Sequence, residues 1–462
     1  MDAIQRFTEN VVRTTYDRLP ASALAATKTF ILDTLGVCVA GSTAPGVAEL
    51  VSVLRRWGGT AESTLLTYGD QFPAPWAAMA NSVMMHALEF DCVHDSAVIH
   101  PFTTALPAAL AVAEAQGGVS GKTLLTAVTV GVDTSTRIGM SSRARMRFFR
   151  PGVCGAFGAT AAVAKVMGCD LETTTRAMGL LYSQICGTLQ AHHEGATINS
   201  MQTGFNAKAA VIAVALAQCG IAGPQGVLEG EYGYFRLFEG AYDLHTALRT
   251  LGTTWEVERV SHKPFPSGRL THGAAEAALA LRHAYQMQPH DITEVLVEAP
   301  PLVHNLVGRA VTSRTPLAQF AKLCIPIVLA HVFLQGDVFI TDFEGPALTD
   351  PQVHDLAAKI RVVRNAAVED DNAMVPVLVH VRLQDGRQYS QRLDALLGSP
   401  AKPFSHAAHV QKFRRCWQHG GRHLPADHAD RLIDMVEHLE DVDDMGALCR
   451  LLVPSPSPSA RG

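Results

Sequence analysis

Carboxylates and imidazoles are concentrated in one stretch of the sequence, from residue 86 to residue 100. It contains three residues of each kind, namely Glu89, Asp91, Asp95, His86, His94 and His100. These side chains exchange protons near neutral pH, and burial between the apolar runs on either side would shift their pKa values toward a working range. The stretch therefore predicts a general acid–base site. The alternative is an ordinary polar connection between two helices.

Three further stretches combine polar side chains with glycines. Residues 143–155 begin with four arginines in eight positions, which would bind an anionic substrate or form a solvated basic loop. Residues 190–208 form a polar, glycine-containing loop between apolar helices, which is typical of a functional loop or of a plain surface loop. Lys263 and Arg269 belong to a proline-flanked turn at a proposed domain junction, where small-molecule sites are common.

Composition excludes several classes of protein. The chain has 462 residues, 48% of them hydrophobic and 18% charged, which is enough to bury a large core. The net charge of −5 comes without a dominant block of either sign, so neither nucleic acid nor an anionic membrane surface is an expected partner. Nine separated cysteines without a Cys-x-x-Cys pair, and an N-terminus without an apolar signal core, predict a cytoplasmic protein. No uncharged apolar run approaches the roughly 18 residues of a membrane span.

Neither a metal nor an organic cofactor is expected. The sequence has no Walker loop, and no Gly-x-Gly-x-x-Gly follows a strand, so a nucleotide has no visible cradle. His192 and His193 are adjacent, and neighbouring histidines rarely reach the same ion. Acids, histidines and basic residues together fit proton transfer on a small polycarboxylate, whose charges the basic groups would hold.

Periodicity predicts a mainly α fold in two parts. Residues 1–264 and 406–462 are predicted to form one large helical domain from both chain ends, finishing in a frayed Pro-Ser tail from residue 454. Residues 265–405 are predicted to form a smaller, inserted α+β lid domain. In it, β-branched runs predict strands at 292–299, 360–364 and 375–383, the last paired with 388–393, and a helix is predicted over 317–333.

The sequence resembles the MmgE/PrpD superfamily, which includes 2-methylcitrate dehydratases, cis-aconitate decarboxylases and iminodisuccinate epimerases. The resemblance covers most of the chain and rests on Asp33-Thr-Leu-Gly, Ala80-Asn-Ser-Val-Met-Met-His-Ala-Leu-Glu-Phe-Asp, His100-Pro, Gly155-Ala-Phe-Gly-Ala-Thr, Gly204-Phe-Asn-Ala-Lys and Lys263-Pro-Phe-Pro-Ser-Gly-Arg. It implies a homodimer and a site between a helical domain and a lid.

The resemblance also implies roles for particular residues. The family's acidic motif falls on residues 89–91, its histidine before proline on His100, and its lysine and following basic residue on Lys263 and Arg269. The catalytic candidates are therefore Asp91, His100 and Lys263. The candidates for substrate binding are Glu89, His94, Arg150, Asn199, Gln202, Lys208 and Arg269.

Several positions depart from the family pattern. The family's Phe-His-Pro reads Phe-Arg150-Pro here, and its Lys-x-x-His becomes Asn199-Ser-Met-Gln202. Gly268 stands where relatives carry Cys or His. Arg150 could bind a carboxylate but cannot act as a base, because its pKa stays above about 12. These departures indicate a divergent substrate.

The preferred interpretation is a cofactor-independent hydro-lyase of the 2-methylcitrate dehydratase type, acting on a small di- or tricarboxylate. His100 or Asp91 would take the proton next to a carboxylate, and Lys263, Arg269 and Arg150 would hold carboxylates and stabilise the developing charge. The alternatives are a decarboxylase or an epimerase on the same fold, and a carboxylate-binding relative without catalysis.

Overall fold

The first half of the chain is a set of closely packed helices. The computed structural model describes residues 2–314 and 316–455, so most of the predicted Pro-Ser tail lies outside the described residues. The helices up to residue 249 are α1 (Ala3–Arg13), α2 (Ala21–Gly41), α3 (Val47–Trp57), α4 (Ala74–His86), α5 (Phe102–Gln116), α6 (Gly121–Met140), α7 (Arg150–Val166), α8 (Leu171–Tyr182), α9 (Gln190–Glu194), α10 (Ile198–Gln218) and α11 (Leu244–Arg249).

Helix α7 lies at the centre of this bundle, against α5, α6 and α10. Its contact with α6 is very close, since a Cβ added at Gly158 would lie 2.4 Å from the carbonyl oxygen of Gly131. The small residues of these helices thus let their backbones touch. Helix α2 is, within the described ranges, the one helix long and apolar enough to cross a membrane, and most of it is buried in the protein. It packs against α4, as a core helix does.

A four-stranded sheet dominates the middle of the chain. Its strands are β3 (Ile292–Ala299), β4 (Ile360–Arg364), β5 (Val377–Leu383) and β6 (Gln388–Leu393), after a short pair, β1 (Ser63–Thr64) and β2 (Gln71–Phe72), in the helical part. The order is β4-β3-β5-β6, with β4 parallel to β3 and the other neighbours antiparallel. The accompanying helices are α12 (His272–Tyr285), α13 (Pro301–Val307), α14 (Ala318–Lys322), α15 (Ile325–Gln335) and α16 (Pro351–Ala357).

The buried apolar residues form two clusters. The first cluster takes residues from 3 to 260, Ile340, and residues from 413 to 452. Its C-terminal members come from α17 (His406–Gly420), α18 (His428–Glu437) and α19 (Gly446–Arg450). The second cluster takes residues from 265 to 396, around one face of the sheet. The mainly helical prediction is confirmed, whereas the role of the second part as a lid stays a prediction.

The structure differs from the helix predicted over 317–333. Two helices, α14 and α15, replace it, and Cys324 between them has an extended backbone with φ −131°. Pro326 explains the break, because proline lacks an N–H and its ring clashes with the carbonyl four residues earlier, which here belongs to the last residue of α14. The break matters for the site, since α14 carries Gln319 and Lys322 toward residues 87–89.

Candidate active site

Backbone hydrogen bonds hold the connection between α4 and α5, residues 87–101, against the proline-flanked turn that carries Lys263, called the lysine turn below. The Val93 N–H donates to the Ser261 carbonyl at 3.0 Å, and the Ser261 N–H donates back at 2.7 Å. Lys412 of α17 donates to the Phe90 carbonyl at 2.7 Å. Two non-glycine residues of this connection, Glu89 and Val98, have left-handed backbone with φ of 53° and 55°. Such conformations cost about 1–3 kcal/mol and are concentrated at functional sites.

Asp91 holds two imidazoles with one carboxylate oxygen. Its Oδ2 lies 3.0 Å from Nδ1 of His86 and 3.0 Å from Nδ1 of His100. Nδ1 of His100 is also 2.9 Å from the Cys92 carbonyl, which can only accept, so this nitrogen carries the proton. Nε2 of His100 is then the atom with a lone pair.

Glu89 and Lys263 form the second half of the cluster. The Lys263 ammonium donates to Oε2 of Glu89 at 3.1 Å and to the Glu89 carbonyl at 3.0 Å, and it lies 3.8 Å from Oδ1 of Asp91. The other oxygen of Glu89, Oε1, accepts from Asn199 at 3.2 Å and from Gln319 at 2.9 Å. Glu89, Asp91 and Lys263 are all buried, so bulk water does not reach these ion pairs.

Both acids of the cluster are ionised. Burial alone would raise the pKa of Glu89, but Lys263 and His86 outweigh it and hold that pKa at about 2. Burial would likewise raise the pKa of Asp91, but His100, His86 and Lys263 lower it well below its usual value. The site therefore contains two buried carboxylates whose charges the protein's own cations balance.

The two imidazoles shift in opposite directions. Burial opposes protonation of His86, but Asp91 and Glu89 together raise its pKa above the ordinary value. For His100, burial lowers the pKa, and Lys263 adds to it, so the attraction of Asp91 is outweighed. His86 is thus the more readily protonated imidazole of the pair, and the shift at His100 favours its neutral form.

A narrow cavity reaches this cluster, and its lining residues come from positions 89–192 and 268–374. It has an empty volume of about 540 Å³, of which about 60 Å³ is open to the centre of a water molecule. Four polar side chains line it among the described residues, namely Glu89, His100, His192 and Arg269. Burial lowers the pKa of His192 to about 4, and its Nε2 has no hydrogen-bond partner within the described part of the chain.

The structure brings most of the predicted site residues together. Glu89, Asp91, His100, Lys263 and Asn199 are in the contacts above. Gln202 does not contact Glu89 directly but lies behind Asn199. Its Nε2 is 3.5 Å from Oδ1 of Asn199, and its Oε1 accepts from the Thr188 N–H at 2.7 Å.

Four predicted binding residues make contacts away from the Asp91–Glu89–Lys263 cluster, and the first three of them lie outside the cavity lining. The Arg150 guanidinium donates to both oxygens of Glu239 at 3.0 Å. Lys208 lies over the rings of Trp76 and Phe205. Nε2 of His94 faces Glu256 at 3.3 Å.

Arg269 lines the cavity but is held by another carboxylate. It donates to both oxygens of Asp95 at 2.9 and 3.0 Å and to the carbonyls of His262 and Leu397, which engages four of its five N–H groups. Whether any of these four residues touches substrate stays a prediction. The positions observed give each of them a structural partner within the protein.

Sequence reasoning did not assign roles to His86, His192 or Gln319. His86 is in the same stretch as Asp91, and its five-residue spacing from that acid was the available signal. His192 was considered only as a metal ligand. Gln319 had no signal, because its contact with Glu89 joins positions 230 residues apart.

A second buried polar group lies behind the site. Asp33, His262 and His409 place potential metal-ligating atoms within 4.8 Å of one another, and His86, Glu89 and His100 do so in the site itself. In each group an ammonium already lies against the carboxylate: Lys412 is 2.7 Å from Asp33, and Lys263 is 3.1 Å from Glu89. The donor sets therefore fit ion pairs better than a divalent cation.

Comparisons with known proteins agree over nearly the whole chain. Residues 5–247 match the MmgE/PrpD N-terminal domain, and residues 265–441 match the MmgE/PrpD C-terminal domain. The cis-aconitate decarboxylase of Homo sapiens is 27% identical over 452 residues, covering 93% of this chain and 90% of that protein. The cis-aconitate decarboxylase of Aspergillus terreus is 26% identical over 467 residues, covering 96% and 94%. The cis-aconitate decarboxylase-like protein oryM of Aspergillus oryzae is 24% identical over 457 residues, covering 94% of each.

Proposed function

The chain belongs to the MmgE/PrpD family, and from that premise we propose that it is a cofactor-independent lyase that removes water from a hydroxy acid by proton transfer through His100. The observation that carries the proposal is the set of contacts made by the Nδ1 atom of His100. Its Nδ1 donates to Asp91 and to the Cys92 carbonyl, which leaves Nε2 as the proton acceptor of a side chain that lines the cavity.

The reaction needs one base and one stabilised negative charge. His100 takes the proton from the carbon next to a carboxylate, and the electron pair left on that carbon spreads into the carboxylate as an enolate. The pair then forms the double bond while the carbon–oxygen bond to the departing hydroxyl breaks. The same imidazolium returns its proton to this hydroxyl, which leaves as water, so one histidine serves both transfers.

Lys263 and His86 supply the positive field for the enolate. The Lys263 ammonium is fixed by the carboxylate and the backbone carbonyl of Glu89, so it needs little rearrangement when charge develops nearby. Asp91 orients His100 and stabilises its protonated form, which is the role of the acid in a carboxylate–imidazole pair. The second part of the chain, which supplies one wall of the cavity, acts as a lid in this proposal.

A panel of hydroxy-di- and tricarboxylates tests the proposal. The wild-type protein should convert at least one of them with loss of one water, detected by mass spectrometry. His100→Gln should lower kcat by about 10²–10⁴-fold, the usual contribution of a general base. The exposed His283, changed to Gln, is the matched control and should keep the wild-type rate. Full activity in His100→Gln would reject the assignment.

Decarboxylation is the second candidate, because the named relatives are cis-aconitate decarboxylases. Loss of carbon dioxide leaves a carbanion that must receive a proton, so it needs a protonated group in the cavity at the start. His100 is the imidazole at the cavity next to Asp91, and its lowered pKa disfavours the protonated form, which supports proton removal as the first step. Products distinguish the reactions: water loss, carbon dioxide release, or inverted configuration with unchanged mass for an epimerase. Binding without turnover across the panel would indicate a non-catalytic relative.

A further inference from the structure

Resting on the proposed function, we infer that the substrate is an acid with at most two carboxylates and an apolar substituent, which lies against an apolar wall of the cavity. The wall residues come from the second apolar cluster, from the connection between α4 and α5, and from residues 146–189 of the first part of the chain. They are Val93, Val98, Phe149, Leu270, Leu306 and Met374, with Met146, Leu189, Val307 and Leu323 completing the surface. A surface of this kind binds alkyl or aryl groups by removing them from water.

The charges around the cavity favour a ligand with few carboxylates. Lys263 is bound to Glu89, and Arg269 is bound to Asp95. Arg150, which could have been the third cation, is bound to Glu239 outside the cavity. Each carboxylate of a ligand adds a negative charge near ionised Glu89, and the described cavity residues include no uncommitted arginine or lysine, so a third carboxylate costs more than an apolar group in its place.

Backbone strain at Val98 is the second, independent observation. Its φ of 55° is a genuine outlier for a β-branched residue. The left-handed conformation costs such a residue more free energy than it costs glycine or asparagine. The conformation is held by its N–H, which donates to the His94 carbonyl at 2.9 Å. A glycine would fit the turn without strain, yet the chain keeps a valine whose side chain lines the cavity. The strain thus maintains an apolar group at the binding surface.

A homologous series of substrates tests the inference. Malate and its C3-alkyl derivatives with methyl, isopropyl and butyl groups are compared by kcat/KM, with citrate as the tricarboxylate. Each buried methylene should raise kcat/KM by about four-fold, the equivalent of about 0.8 kcal/mol. Citrate should be converted more slowly than butylmalate.

The variant that tests the wall is Val98→Asn. Asparagine tolerates left-handed backbone and is close to valine in size, so the turn should keep its shape while the wall becomes polar. In this variant, kcat/KM should lose most of the increase that the alkyl group gives in the wild type, and kcat/KM for malate itself should change much less. Leu171→Gln, at an exposed apolar position on α8, is the control and should keep the wild-type chain-length dependence.

The outcomes separate this inference from the proposed function. Turnover that is independent of chain length, or faster with citrate, would overturn the inference and leave the lyase proposal intact. Without turnover of any acid, the lyase proposal would fail, and calorimetric binding of the same series would decide the inference. Affinity that rises with chain length in the wild type and not in Val98→Asn supports it, and flat affinity contradicts it.

Discussion

One oxygen of Asp91 lies 3.0 Å from two imidazoles, yet the two histidines have opposite shifts in pKa. The difference comes from their other neighbours. His86 lies between two carboxylates, because Glu89 is 3.8 Å from its Nε2, whereas the charge of Lys263 adds to the burial of His100. A single acid thus orients one imidazole that favours protonation and one that favours the neutral form, which is the division of roles that acid–base catalysis needs.

The pH dependence of kcat/KM follows from the shift at His100. Its lowered pKa means that the neutral, active form persists to lower pH than for a free imidazole. Activity should therefore fall only as the pH drops below the ordinary imidazole value of about 6.5. The acid limb of the pH–rate profile measures this. A midpoint above that value would contradict the assigned base.

At this scale the sequence predicted a contact between two of the family's motifs and missed partners that lie outside the motifs. It placed Lys263 near Asp91, and the structure has their charged atoms 3.8 Å apart. Periodicity and motif spacing could not show that the Arg150 guanidinium would be bound by Glu239, 89 residues later in the sequence. The availability of a cation depends on which carboxylate folds against it, and that information is tertiary.

At the scale of elements, α17 fixes the catalytic connection from the far end of the chain. Lys412 donates to the Phe90 carbonyl, between Glu89 and Asp91, and it pairs with buried Asp33 of α2. One side chain thus ties three segments together. The two histidines beside this pair, His262 and His409, are 3.1 Å apart and precede the lysine turn and Lys412 respectively.

Lys412→Met should destabilise the protein by about 3–5 kcal/mol, because it leaves the Asp33 carboxylate buried without its partner. It should also lower kcat, since the Phe90 peptide loses its donor. Denaturant unfolding and steady-state kinetics measure the two effects. Arg56→Met, at an exposed position on α3, should change stability by less than about 0.5 kcal/mol. If the double variant Asp33→Asn/Lys412→Met were no more stable than Lys412→Met, the buried pair would not be the cause.

The elements themselves were largely predictable from pattern. The apolar helices and the β-branched strands follow from residue type, and the Asp385-Gly386 turn fixes the β5–β6 hairpin. The short pair β1–β2 was not predicted, because two-residue strands carry no periodicity. The break between α14 and α15 was also missed, although Pro326 was the available signal.

At the scale of the whole molecule, the cavity is too narrow for an acid of the proposed kind to pass freely. Only about 60 Å³ is open to the centre of a water molecule. Since its lining residues come from both parts of the chain, 89–192 and 268–374, substrate can enter if the second part moves away from the first. The homodimer implied by the family resemblance stays a separate prediction.

Hydrogen exchange measures this movement. Saturation with a slow substrate or product should hold the closed state and slow amide exchange in residues 87–101 and 301–307, both of which contribute to the cavity lining. Exchange in the outer strand β6 is the internal control and should not change. Equal exchange with and without ligand in the first two segments would contradict the lid.

The central claim is that His100 moves the proton next to the substrate carboxylate. Incubating the enzyme with its substrate in deuterated water, and following deuterium at that carbon by NMR, tests this most directly, because exchange requires only the proton transfer. The wild-type protein should incorporate deuterium, and His100→Gln should do so at least about 100-fold more slowly. Exchange at the wild-type rate in His100→Gln would contradict the account.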